Sequence, residues 1–228
     1  LNKEIALTVK YIESGNASGA QTEVKVTVTA VAKVEKDGTA TLVDKTAFLN
    51  AFKDSTNNGV TITMLNNVEL TKDESITLEY SCTLDLNGHT ISQPDITPST
   101  FSVLSGTVTI KDSGTGGEIR SGNIAIGVNS GTGTVSIESG TVLGSYVGVQ
   151  VTVGSVNISG TAVISGGNNS GLLVERNGTA VLSGGTFSGV VAITINNDAS
   201  VTLKNLLTQG YAYHRNNLPV TKAEGWVD

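Results

Sequence analysis

Between residues 60 and 203 the apolar residues stand two apart, and the pairs recur. An apolar, any, apolar triplet followed closely by Gly, Asn or Ser occurs as Ile62 and Met64, Leu84 and Leu86, Val108 and Ile110, Val135 and Ile137, Val156 and Ile158, Ala180 and Leu182, and Val201 and Leu203. The second members follow one another at steps of 22, 24, 27, 21, 24 and 21 residues. Alternation with a period of two predicts strands with one buried face, and the return of one triplet at near-constant spacing predicts a structural repeat. Each period carries more than the triplet. A second apolar position precedes Ser, or Arg and Ser, at Ile91, Ile119, Ile164 and Phe187, and a third run follows as AIGV (125–128), VGVQV (147–151), GLLV (171–174) and AITI (192–195). Three short strands per period predict the coil of a parallel β-helix, each run of ~3.3 Å per residue spanning one side and successive coils stacking at ~4.8 Å. A β-sandwich also has many short strands, but nothing in that architecture returns the same triplet at this spacing.

The two ends break the pattern. Residues 44–54 place Phe48, Leu49 and Phe52 at i, i+1 and i+4 with Asp44 or Thr46 as N-cap, which predicts a helix lying as a lid under the first coil. Residues 1–35 hold two alternating runs around a Gly/Asn/Ser loop, which predicts a β-hairpin or the remnant of a preceding β module. The solenoid is then expected over 36–210, and 211–228, where Tyr211, Tyr213, His214 and Trp226 gather, as a C-terminal cap or linker.

Composition changes the picture in two ways. With 4% aromatic residues and 27 glycines in 228 residues, the core must be built from Val, Ile and Leu, the side chains that fill narrow stacked columns. With 15% charged residues and a net charge of −6, the chain lacks the basic footprint of a nucleic-acid or anionic-lipid binder, and no apolar run is long enough for a spanning helix. No nucleic-acid partner and no membrane insertion are expected. Cys82 is the single cysteine; with no CxxC or His/Cys spacing, no metal and no cofactor is expected, and the thiol reads as a small buried hydrophobe.

One stretch carries a resemblance. The succession from Thr39 to Ser92, with the TAFLNAFKD helix, GVTITMLNNVEL and then LDLNGHTI at 84–91, resembles the N-terminal part of pectate-lyase-like right-handed β-helix domains found in large surface proteins of gut and other Gram-positive bacteria. The resemblance implies an all-β, right-handed single-stranded parallel β-helix of about seven coils. It also implies a non-catalytic stalk or adhesin-like surface, extracellular or attached to the cell wall, that contacts glycans or host surface proteins and has neighbouring domains in a larger chain. A monomer is expected. Distant relatives that share the fold are polysaccharide lyases and glycosidases, so the alternative is an enzyme acting on an extended polysaccharide along one face; a shared fold does not itself carry activity.

Candidate residues divide between these readings. For an enzyme the candidates are His89, Lys111, Arg120 and Glu138. Asp85 falls on an outward row with Thr63, Thr109, Ser136 and Asn157, so no acidic cluster forms around it. Lys111 and Glu138 are expected one coil apart as a surface ion pair, and Glu118 and Arg120, which flank Ile119 on the same outward face, are expected to pair likewise. His89 sits in an Asn-Gly corner, where a turn residue is expected. For glycan binding the candidates are Tyr146 as an aromatic platform, with Arg176, Asn177 and Asn196 at neighbouring corners.

Overall fold

The computed structural model describes residues 2–9, 22–94, 99–196, 198–204 and 213–215. The chain is a parallel β-solenoid of about six turns. Three faces run along it. The first stacks Val60–Met64, Cys82–Asp85, Gly106–Lys111 and the strand ends 134–137, 155–158 and 179–182, then Ser200–Leu203. The second is a six-stranded sheet running from Val68–Glu69 through Thr90–Gln93, Glu118–Ser121, Thr141–Gly144 and Val163–Gly166 to Thr186–Ser188. The third stacks Ile76–Leu78, Phe101–Val103, the strand starts 126–128, 149–151 and 172–174, then Val191–Ile195 and Tyr213–Arg215. In three coils the third and first faces belong to one bent strand, Ile124–Ile137, Val147–Ile158 and Ser170–Leu182, whose register shifts near 128–134 and 151–153 mark the bend.

Stacking like on like produces the core. On the first face Val60, Cys82, Val108, Val135, Val156, Ala180 and Val201 form one buried column, and Ile62, Leu84, Ile110, Ile137, Ile158, Leu182 and Leu203 form a second. Val68, Ile91, Ile119, Val142, Ile164 and Phe187 form the column of the second face. The buried side chains of all three faces join in one continuous cluster.

These pairings correct one step of the sequence register. Leu84 pairs with Ile110 and Cys82 with Val108, so the step from the second coil to the third is two residues longer than the triplet spacing gave. A slip of one residue would turn every side chain over, and the hydrophobic pattern forbids it; a slip of two keeps each residue on its face, so the pattern is blind to it. Cys82 thereby takes the column position between Val60 and Val108, and burial pushes its thiol up to about 12. The folded protein is expected to leave Cys82 unlabelled by a water-soluble disulfide reagent at pH 8, with labelling only as denaturant unfolds the chain; rapid native-state labelling would contradict this placement.

The corner between the second and third faces is narrow. A Cβ on Gly144 would lie 2.6 Å from the carbonyl oxygen of Asn123 and inside contact of the carbonyl of Val147. A Cβ on Gly166 would meet the carbonyls of Ser170 and Tyr146 in the same way. The chain turns from one face into the next within two or three residues there, and only a residue without a side chain fits inside the bend.

At the N-terminal end the parallel stacking stops. Ala32–Lys36 pairs antiparallel with Val60–Met64 on one side and with Thr39–Val43 on the other, through an Asp37-Gly38 turn. The helix spans Lys45–Ala51, shorter than the 44–54 pattern, because the following residues form a turn and a 3-10 turn at Ser55–Asn57. The Asp44 carboxylate accepts from the Ala47 N–H at 2.8 Å, and Lys45 pairs with Glu74 at 2.6 Å, tying the helix to the chain before the third face. Phe48 and Phe52 enter the core, edge to face with each other at 5.2 Å, and Phe52 meets Phe101 at 6.2 Å. Asn2–Val9 and Thr22–Thr29 form a separate antiparallel pair. Most of 211–228 and the turn of that pair lie outside the described residues.

Candidate functional site

The residues of Leu84–Ile91 form the corner between the first and second faces, and its carboxylates are engaged by backbone. Asp85 is only 6% exposed. Its Oδ1 accepts from the N–H groups of Asn87 at 3.0 Å and of Ser113, one coil on, at 2.9 Å. Asp112 does the same from the next coil: Oδ1 accepts from Gly88 at 2.7 Å and Gly114 at 3.2 Å, and Oδ2 from Gly117 at 2.8 Å. Asn87, at φ 46°, donates through Nδ2 to the carbonyl of Met64 at 3.0 Å, and Gly88 follows at φ 77°, so the corner is a left-handed Asn-Gly pair whose side-chain carboxamide and Gly88 N–H reach the coils on either side. Ser139 Oγ continues the ladder by accepting from the Asp112 N–H at 2.8 Å. Charge-assisted bonds of this kind satisfy donors that a sharp corner would otherwise leave unpaired.

The revised register decides where the charges meet. Asp85 pairs with Lys111 and Thr63 across the coils, and the Lys111 ammonium lies 3.8 Å from the Asp85 carboxylate. The neutral row drawn for Asp85 is therefore wrong on one side, and Lys111 takes Asp85, not Glu138, as its ion-pair partner. Glu138 is exposed at the end of the first face. Glu118 and Arg120, on either side of Ile119 in one strand of the second face, do pair, with Arg120 Nε and Nη2 donating to the Glu118 carboxylate at 3.0–3.2 Å. His89 is half-buried in the corner; its backbone N–H donates to Leu86 and its carbonyl accepts from Glu118. Replacing Asp112 by Ala strips the acceptor from three backbone N–H groups, so a loss of about 2–3 kcal/mol in urea unfolding is expected; an unchanged midpoint would contradict the role.

The candidate sugar-binding residues lie apart. Tyr146, 46% exposed, stands just before the third-face strand. Arg176 and Asn177 follow Val174 at that face's opposite edge, Arg176 at φ 50°, and Asn196 follows Ile195 at the same edge. A strand of ~15 Å separates the two groups, so one small ligand does not touch both. Glu175 Oε2, beside Arg176, accepts from Gln150 Nε2 at 2.7 Å.

Three further features stand out, and of these the sequence showed only the outward row of Thr109, Ser136 and Asn157. The first face carries uncharged outward rows, Thr107, Thr134, Ser155, Thr179 and Ser200 beside Thr109, Ser136 and Asn157, with Ser155 and Thr179 in hydroxyl contact at 2.7 Å. The second face carries a groove of about 290 Å³ between Glu69 and Arg120. A larger depression of about 430 Å³ lies between the Ala32–Val43 hairpin and the helix, with Val34, Val43 and Ala51 among its apolar lining. Among the described residues no three His, Cys, Asp or Glu side chains converge as a metal site, and no helix is long and apolar enough to cross a membrane. No family model, no curated protein and no solved structure matches the chain, so the likeness to pectate-lyase-like β-helix domains rests on the solenoid itself and the LDLNGHTI corner.

Proposed function

We propose that this chain is a rod-like, non-catalytic module of a bacterial surface or secreted protein, extracellular or held at the cell wall, whose faces contact glycans or host surface proteins. One observation carries the reading: the carboxylates nearest the candidate centre are already used to build the rod. Asp85 and Asp112 each accept at least two backbone N–H bonds, and Glu118 is held by Arg120. A general acid or base needs a carboxyl within reach of substrate, whereas a carboxylate engaged by several backbone N–H groups spends its lone pairs holding the corner together. The uncharged rows of the first face and the surface-protein resemblance support the same reading.

The test sets glycan-array binding beside an activity screen on pectin, mucin and host polysaccharides. Binding without cleavage is expected. Cleavage that Lys111→Ala or Arg120→Ala abolishes would overturn the proposal in favour of a polysaccharide lyase or glycoside hydrolase.

A further inference from the structure

We infer that the groove on the second face between Glu69 and Arg120 is a subsite for one uncharged sugar unit, a deepening that rests on the glycan-contact reading above. Three outward positions on consecutive coils define it, because Glu69 pairs with Ser92 and Ser92 with Arg120. Two coil steps put the backbones of Glu69 and Arg120 ~9–10 Å apart. The space between them, about 290 Å³, is bounded on one side by Pro94 and floored by Ser121 and Gly122. This accommodates one pyranose ring with its exocyclic groups, not an extended chain.

The donors and acceptors are set before a ligand arrives. Ser121, 4% exposed, accepts the Asn123 N–H on its Oγ at 3.1 Å, and the Gly122 N–H donates to the carbonyl of Gln93 at 2.7 Å. The buried Gln93 carboxamide donates to the carbonyls of Glu74 and Thr71, which fixes the wall beneath Pro94. Arg120 is 58% exposed, yet both Glu118 oxygens hold its guanidinium in place, so less side-chain freedom is lost when it binds. Across the groove run an acceptor carboxylate, a hydroxyl that both donates and accepts, and a guanidinium that only donates. Vicinal sugar hydroxyls supply the complement: two O–H groups donate to Glu69, and neighbouring oxygens accept from Ser92 and Arg120.

Charge narrows the ligand. The groove is lined by one carboxylate, Glu69, and one guanidinium, Arg120, whose charge the neighbouring Glu118 already balances, so Glu69 is left to set the sign of the field, on a chain of net charge −6. A uronate would bring its carboxylate into that field, which disfavours acidic polysaccharides and favours neutral hexosyl units.

The test is an NMR titration of the isotope-labelled chain with neutral gluco-, manno- and galacto-oligosaccharides and with oligogalacturonate. Shifts centred on Ser92, Ser121 and Gly122 are expected with at least one neutral series, and none with oligogalacturonate. Glu69→Gln and Arg120→Gln should each weaken that binding about tenfold, as loss of a charge-assisted hydrogen bond does, with unchanged melting temperatures. Neutral binding that survives both variants, for instance binding lost on Tyr146→Ala instead, overturns the subsite and leaves the glycan reading standing. Preference for oligogalacturonate also overturns it, and no binding by any of these sugars overturns the subsite and the glycan reading together.

Discussion

Gly144→Ala is expected to unfold the solenoid at temperatures where the wild-type chain is fully folded. The added methyl would sit 2.6 Å from the Asn123 carbonyl oxygen and against the Val147 carbonyl. Both neighbours are backbone: Val147 opens a strand paired with Ile124, and the Asn123 carbonyl accepts from the N–H groups of Tyr146 and Val147, so neither can rotate away as a side chain would. Overpacking a tight interior costs about 1–3 kcal/mol where side chains can give way, and a loss above ~3 kcal/mol is expected here. Gly166→Ala, one coil on, meets the same obstruction and should behave alike. The control is Gly131→Ala: its Cβ would touch only Val153 at 3.5 Å, ordinary contact. It should leave the denaturant midpoint unchanged or slightly raised, since alanine loses less backbone freedom than glycine on folding. Equal midpoints for the Gly144 and Gly131 variants would show that the corner is not built as described.

Phe48→Ala is expected to open the rod from its N-terminal end. Phe48 is fully buried beneath the first coil and meets Phe52, which in turn meets Phe101 of the second. Truncation leaves a cavity that a short helix tied by Asp44 and the Lys45–Glu74 pair cannot collapse to fill, so about 3–5 kcal/mol is expected to be lost. In a solenoid each coil contacts only its neighbours, so the damage is local before it is global. Hydrogen exchange should quicken first at Val60–Met64 and Ile76–Leu78, while Val156–Ile158 keeps its protection until global unfolding. Uniform loss of protection along the rod would argue against a stacked, quasi-one-dimensional core.

The solenoid was legible because its signal is the period, and seven occurrences of an apolar pair at such spacing are hard to produce by any other architecture. What the pattern could not supply was the exact register. Val108 and Ile110 fit equally well against Cys82 and Leu84 or against Leu84 and Leu86, since both choices keep the apolar residues inward. Only the corner hydrogen bonds distinguish them, with Asp85 reaching the Ser113 N–H and Leu86 donating to the carbonyl of Lys111. That two-residue difference moved Asp85 from a neutral row to the side of Lys111 and made a structural pair of residues that looked unrelated. The tight glycines were hidden for a similar reason. Gly144 and Gly116 look alike in sequence, yet one lies inside a bend against two carbonyls and the other has open space around it. The groove between Glu69 and Arg120 was illegible because it joins residues two coils apart, at positions where the strand pattern records only that they face outward.

The central claim is that the carboxylates of the LDLNGHTI corner and its neighbour hold successive coils together and are not poised for chemistry. Hydrogen exchange at the amides of Gly88, Gly114 and Gly117 tests it most directly, in the wild-type chain and in Asp112→Asn, which keeps the shape and removes the charge. The account predicts amides protected well beyond an ordinary exposed turn in the wild type, and faster exchange at all three, with lower stability, in the variant. Unprotected amides in the wild type, or an Asp112→Asn chain with unchanged exchange and stability, would contradict it.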